Sequence, residues 1–169
     1  STQSRSSAAS DVYKRQENGM LIQPEFYMMK LYAEHLGEKL VESWCDIENI
    51  PLDMPTDRRW PKYGTVKKKK RQIPLLDIAA TSAADDSVTA FVTNISFDRE
   101  LEAVLELNDC SRTYKRILIS TLWHADLHAD NSQNPDKVKT ITQESSIENN
   151  SCRITFLPHS VNAITFLPD

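Results

Sequence analysis

The chain has 169 residues, with 20 Lys and Arg against 24 Asp and Glu and a net charge of −4. That length suits one domain, or one domain and a fragment, and it can bury a core without disulfides or metals. The acidic balance argues against a general nucleic-acid binder, which needs a basic surface to displace counterions, and no apolar run approaches the ~20 residues of a membrane span.

Ser1 to Gln16 is polar, Ser- and Ala-rich and aperiodic, which predicts a disordered leader. It lacks the apolar centre of a secretory signal. Asp11-Val-Tyr-Lys-Arg-Gln16 resembles a translated transposase adapter end, so residues 1–16 are expected to be non-native and the coding sequence proper to begin near Glu17. Pro24 to Gly37 then reads as a helix. Pro24 fits its first turn, where the missing N–H costs nothing. Phe26, Met29, Ala33, Leu36 and Leu40 recur at three- and four-residue steps on one face, widened by Tyr27, Leu31 and Tyr32. Gly37 is expected to stop the helix as a C′ glycine, with His35 in the last turn.

Strand signals dominate from Lys39 to the C-terminus. Lys39 to Cys45 can form a strand. Asn49 to Tyr63 holds Pro51, Pro55 and Pro61, which rules out a central strand and predicts an extended loop. Lys67 to Arg71 is a solid basic run, read as a solvated linker. Leu76, Ile78 and Ala80 alternate with more polar residues, an Asp-rich turn covers Ala83 to Ser87, and Val88 to Asn94 resumes the alternation. Leu101 to Leu107, Tyr114 to Trp123, Lys137 to Gln143, Cys152 to Leu157 and Val161 to Leu167 complete the set, with a polar loop from His124 to Asp136. About eight short strands with period-two patterning predict a mainly β fold, an antiparallel sandwich or barrel preceded by one helix. Three glycines are few for such a chain, so its turns must rely on Asn, Asp, Ser and Pro.

Candidate chemistry is sparse. Cys45, Cys110 and Cys152 are odd in number and irregularly spaced, so they read as free thiols in a reducing compartment. His124 and His128 stand four residues apart, a metal-ligand spacing on a helix, but they fall in a loop. His159 sits in a Pro-His-Ser corner, where a structural hydrogen bond is the expected role. Trp44, Trp60 and Trp123 could stack on sugars, although core or interface tryptophans are commoner. Asn94-Ile-Ser96 and Asn149-Asn-Ser151 fit glycosylation sequons. No Gly-rich phosphate loop and no Gly-x-Ser-x-Gly elbow occur. Asp85-Asp86 reads as a turn rather than as a catalytic pair.

Five segments taken together resemble one family. Pro24-Glu-Phe-Tyr-Met-Met-Lys-Leu-Tyr-Ala-Glu-His-Leu-Gly37 is similar to the last barrel helix of family 51 glycoside hydrolases, the α-L-arabinofuranosidases. Ile73 to Thr81 resembles the strand opening their C-terminal domain, and Val88 to Asn94 the next strand, which ends at an Asn. His128 to Val138 resembles their Asn- and Pro-bearing loop, and Leu157-Pro-His-Ser160 the corner before the final strand. The chain departs from the pattern at Ile95, at Leu75 and in the Lys67 to Arg71 run.

The resemblance implies a jelly-roll-type sandwich over residues 38–169, with residues 17–37 the last helix of a (β/α)8 barrel that the chain does not contain. It implies a parent enzyme that hydrolyses terminal α-L-arabinofuranosyl residues of arabinan and arabinoxylan. The mechanism would be retaining, with two barrel glutamates. Neither glutamate motif is present, so no catalytic residue, cofactor or metal ligand is assigned and the chain alone is expected to be inactive. Implied partners are the missing barrel, further copies in the intact oligomer and an arabinose-containing saccharide, with neither nucleic acid nor membrane, in the cytoplasm. The alternatives are a free-standing carbohydrate-binding sandwich and, more weakly, nucleic-acid binding through Lys67 to Arg71.

Overall fold

Residues 13–16, 19–55 and 68–169 are described by the structure, a computed structural model. Among them one helix and twelve strands follow in order. β1 (Tyr13–Gln16) and β2 (Gly19–Ile22) pair antiparallel ahead of α1 (Pro24–His35). β3 (Lys39–Val41), β4 (Asn49–Pro55), β5 (Lys68–Pro74), β6 (Leu76–Ser82), β7 (Val88–Asn94) and β8 (Leu101–Glu106) come next. β9 (Tyr114–Leu122), β10 (Thr140–Ser146), β11 (Ser151–Phe156) and β12 (Val161–Pro168) end the chain.

Six strands make the main antiparallel sheet, in the order β10-β9-β12-β7-β6-β3. β8 and β11 make a second, two-stranded sheet packed over one of its faces. Because successive side chains point to opposite faces, each central strand serves two cores. Val88, Ala90 and Val92 of β7 join Ile164 and Phe166 of β12 and Ile117 of β9 against Leu101, Leu105, Ile154 and Phe156 of the small sheet. On the opposite face Phe91, Ala163 and Leu122 meet Leu31 of the helix and Val138 of a loop. This double duty explains why the central part of β12, Asn162 to Phe166, is buried throughout. The architecture is the mainly β sandwich with one leading helix that the strand pattern predicts.

The helix docks by Tyr27, Leu31, Tyr32 and His35, not by the longest apolar stripe. Leu31 is only 1% exposed, and the Tyr32 ring stacks on Phe91 with centroids 4.9 Å apart. His35 Nδ1 lies 3.3 Å from Thr165 Oγ1, which is itself 2.9 Å from Thr89 Oγ1. Fully burying one leucine contributes about 2 kcal/mol, so Leu31 is the principal anchor. Met29 and Leu36 of the expected stripe are 56% and 64% exposed, and Ala33 and Leu40 are exposed as well.

Four sequence expectations need correction. Tyr13–Gln16 is not unstructured but pairs with Gly19–Ile22, from Tyr13↔Ile22 to Gln16↔Gly19; residues 1–12 lie outside the described residues. Asn49–Pro55 is not loop but a strand, in register with Lys68–Pro74, so most of the basic run is strand rather than linker. Its prolines are tolerated because this ribbon has two strands and thus only edges. The strand expected from Lys137 begins at Thr140, because Lys137 N donates to Asn134 O and Val138 N to Asn131 Oδ1, closing a loop first. Gly37 follows the C-cap Leu36, but not as a left-handed stop. A Cβ there would lie 2.5 Å from both the backbone C and O of Ser82. The glycine lets the chain leave the helix against β6, with Gly37 N donating to Thr81 Oγ1 and Glu38 N to Ser82 O.

Candidate functional site

Two features of this fold stand out as more than packing: a buried polar corner that joins the loops at one end of the sandwich, and the apolar helix face turned away from it. The corner is built on Asn94, the last residue of β7. Its side-chain amide donates to the carbonyls of Arg99, Phe156 and Leu157 at 2.9–3.0 Å, and its Oδ1 accepts from Ser96 N. One side chain thus binds four backbone groups from strand ends and loops. Asn162 repeats the device one strand away, donating to Val92 O and Ser160 Oγ while accepting from Thr121 Oγ1. Ser160 Oγ donates to Leu157 O.

His159 closes the same corner with φ of 47°. Its Nε2 lies 2.8 Å from His124 O and its Nδ1 3.2 Å from Phe97 O, and its ring stacks on Trp123. The imidazole is therefore occupied by backbone carbonyls from two loops, the structural role expected for it. Asn131, fully buried, does for the neighbouring loop what Asn94 does here: it donates to Ile22 O and Val138 O and accepts from Val138 N. The bond to Ile22 ties this loop to the residue two before the helix.

The other sequence candidates fall apart spatially or are already engaged. His124 Nδ1 accepts from Asp126 N, and Asp126 Oδ1 accepts from His128 N, an ordinary loop pattern. Among the described residues, no three His, Cys, Asp or Glu are placed to hold a metal. Trp44 is 76% exposed beyond β3, whereas Trp123 follows β9; those strands are four spacings apart, about 19 Å. Trp60 lies outside the described residues. Asn94 of the first sequon is fully buried with its amide committed, while Asn149 of the second is exposed in a turn at φ 54°.

Asp85 and Asp86 form the expected turn. Hydrogen bonds from the Ser87 hydroxyl and N–H hold the Asp85 carboxyl below its usual range. Asp86 pairs with Arg112 at 2.5 Å, and Tyr114 Oη donates to Asp86 O. Asp86, Arg112 and Tyr114 line an open groove together with Glu38 and Asp109, and the Asp86 carboxylate in it is already committed to Arg112. Burial pushes the Cys152 thiol up to about 11, so it is an inert core group.

The outward helix face is the remaining feature. Met29 of α1 and its C-cap Leu36 are exposed away from the buried Leu31, and Leu40 and Trp44 follow in the chain, at 83% and 76% exposure. Large apolar side chains left exposed over one short segment point to a contact surface.

Residues 6–160 match the family model of the α-L-arabinofuranosidase C-terminal domain; the match starts inside the segment read as non-native. No curated protein matches the chain in sequence. In fold it is similar to a thermostable GH51 α-L-arabinofuranosidase from Thermotoga petrophila RKU-1, with a TM-score of 0.75 and 21% identity over 91% of this chain and 31% of that one. The Thermotoga maritima α-L-arabinofuranosidase, solved as an arabinose complex, gives a TM-score of 0.75 and 21% identity over 94% and 31%. A family 51 α-L-arabinofuranosidase from Bifidobacterium longum gives 0.68 and 15% over 92% and 28%. The chain thus spans less than a third of the length of these structures.

Proposed function

The chain belongs to the α-L-arabinofuranosidase C-terminal domain family, and from that premise we propose that it is the non-catalytic sandwich of a family 51 enzyme whose barrel lies outside it. Residues 38–169 are the sandwich domain and residues 17–37 carry the last barrel helix. The observation that carries this reading is the two-sided helix. One side is bolted to the sheet by Leu31, and the other presents Met29, Ala33 and Leu36 to solvent. Lys30 and Glu34 pair on one exposed side, but apolar residues stand both on the docked side and away from it, which suits a helix covered on more than one side. The barrel is the partner that would cover the outer side.

On this reading the domain braces the barrel and contributes to the oligomer of the intact cytoplasmic enzyme. The parent would release terminal non-reducing α-L-arabinofuranosyl residues from arabinan, arabinoxylan or their oligosaccharides by a retaining mechanism. One barrel glutamate acts as nucleophile and another as acid/base. The chain's own residues supply no step of that reaction. They hold a rigid platform, with the Asn94, Asn162 and Asn131 networks fixing the loops and the helix entry. The test is hydrolysis of an aryl α-L-arabinofuranoside. The polypeptide encoded with its upstream sequence should turn it over and this chain should not; turnover by this chain overturns the assignment.

A further inference from the structure

The chain is electrically divided. Residues 49–74 carry eight Lys and Arg against two Asp, a net +6, which leaves the rest of the chain at −10. The described strands of that segment, β4 and β5, form a separate two-stranded ribbon in register from Asn49↔Pro74 to Pro55↔Lys68. Ile50 packs against the sandwich core and anchors its base. Beyond the base, Lys69, Lys70 and Arg71 are all exposed, and none of them takes part in an ion pair with a residue whose side chain is described. Asp53, opposite Lys70, is the one carboxylate in the two strands. Lys69 and Arg71 share a face about 7 Å apart, and Lys70 points to the other.

We propose that the β4–β5 ribbon is a binding site for a linear acidic polysaccharide, a polyuronate. Three arguments select that ligand. Lys69 and Arg71, two residues apart on one face of an extended strand, match anions in line, and the Arg71 guanidinium suits a carboxylate through paired hydrogen bonds. The −10 body repels a broad anionic surface such as a duplex or a bilayer, so only a thin single chain can follow the ribbon without meeting it. Neither described strand carries an aromatic residue, so the strands themselves offer no stacking platform of the kind that holds single-stranded nucleic acid. The site does not depend on the barrel assignment: the basic run departs from the family pattern, and its ligand would bind whether or not a barrel is attached.

The experiment is affinity electrophoresis of the whole chain through gels carrying polygalacturonate, neutral dextran or a single-stranded oligodeoxynucleotide, with sedimentation run in parallel. Polygalacturonate should retard the chain and dextran should not. The apparent affinity should fall roughly tenfold between 50 and 200 mM salt, as counterion release at about two contacts requires. Lys69→Glu/Arg71→Glu should abolish the retardation and leave the melting temperature unchanged, since both side chains are exposed. The proposal is overturned by equal retardation of the variant, by tighter retention on the oligodeoxynucleotide, or by salt-reversible self-association in place of polyuronate binding.

Discussion

At the residue scale, single side chains decide how the chain changes direction. Gly37 is the sharpest case, because the obstacle to a Cβ is the backbone of Ser82 and not a side chain that could rotate away. Gly37→Ala should therefore destabilise the chain by about 1–3 kcal/mol, the usual cost of forcing atoms into filled space, read from a denaturant melt; an unchanged midpoint would refute the close approach. His35 gives a pH signature. Burial, partly countered by the Glu34 carboxylate, lowers its pKa from 6.5. The unfolded chain then takes up the proton more readily than the folded one, so stability rises with pH between the two values. His35's contribution should be fully present above about pH 6.5 and lost as the pH falls toward the depressed folded value. His35→Gln should flatten the melting midpoint between pH 7.5 and pH 5 relative to the parent chain, and an identical slope in both would count against the buried contact with Thr165.

At the scale of elements, much of the fold is legible in the sequence, because alternation survives wherever a strand has distinct faces. The strand expected at Val88 to Asn94 is β7 to the residue, and β9, β11 and β12 differ only at their ends. The ribbon was not legible. Three prolines and a cation run argue against a strand inside a sheet, and the rule does not reach a ribbon whose every residue is on an edge. The polar corner was legible only in part. Alternation and family likeness mark Asn94 as the end of a strand, yet nothing in its local sequence says that it gathers three carbonyls from segments up to 63 residues away. The helix shows the same limit. Its spacing identifies the apolar stripes but not which of them meets the sheet; Leu31, outside the main stripe, wins because it faces Phe91 and Ala163 across the interface.

At the scale of the whole molecule, the account turns on a helix with two apolar sides and only one covered. The sandwich is internally complete in its two cores, while Met29 and Leu36 stand in solvent beside Leu40 and Trp44. The measurement that tests this most directly is a pair of melts, one on the chain and one on the polypeptide encoded with its upstream sequence, each with Met29→Glu/Leu36→Glu set against Leu31→Ala. In the chain, Leu31→Ala should cost about 2–5 kcal/mol and the outer-face pair should stay within ~0.5 kcal/mol of the parent, as exposed substitutions do. In the longer polypeptide the outer-face pair should become the severe change. Loss of stability from Met29→Glu/Leu36→Glu in the chain alone, or its absence in the longer polypeptide, would contradict a helix held between sandwich and barrel.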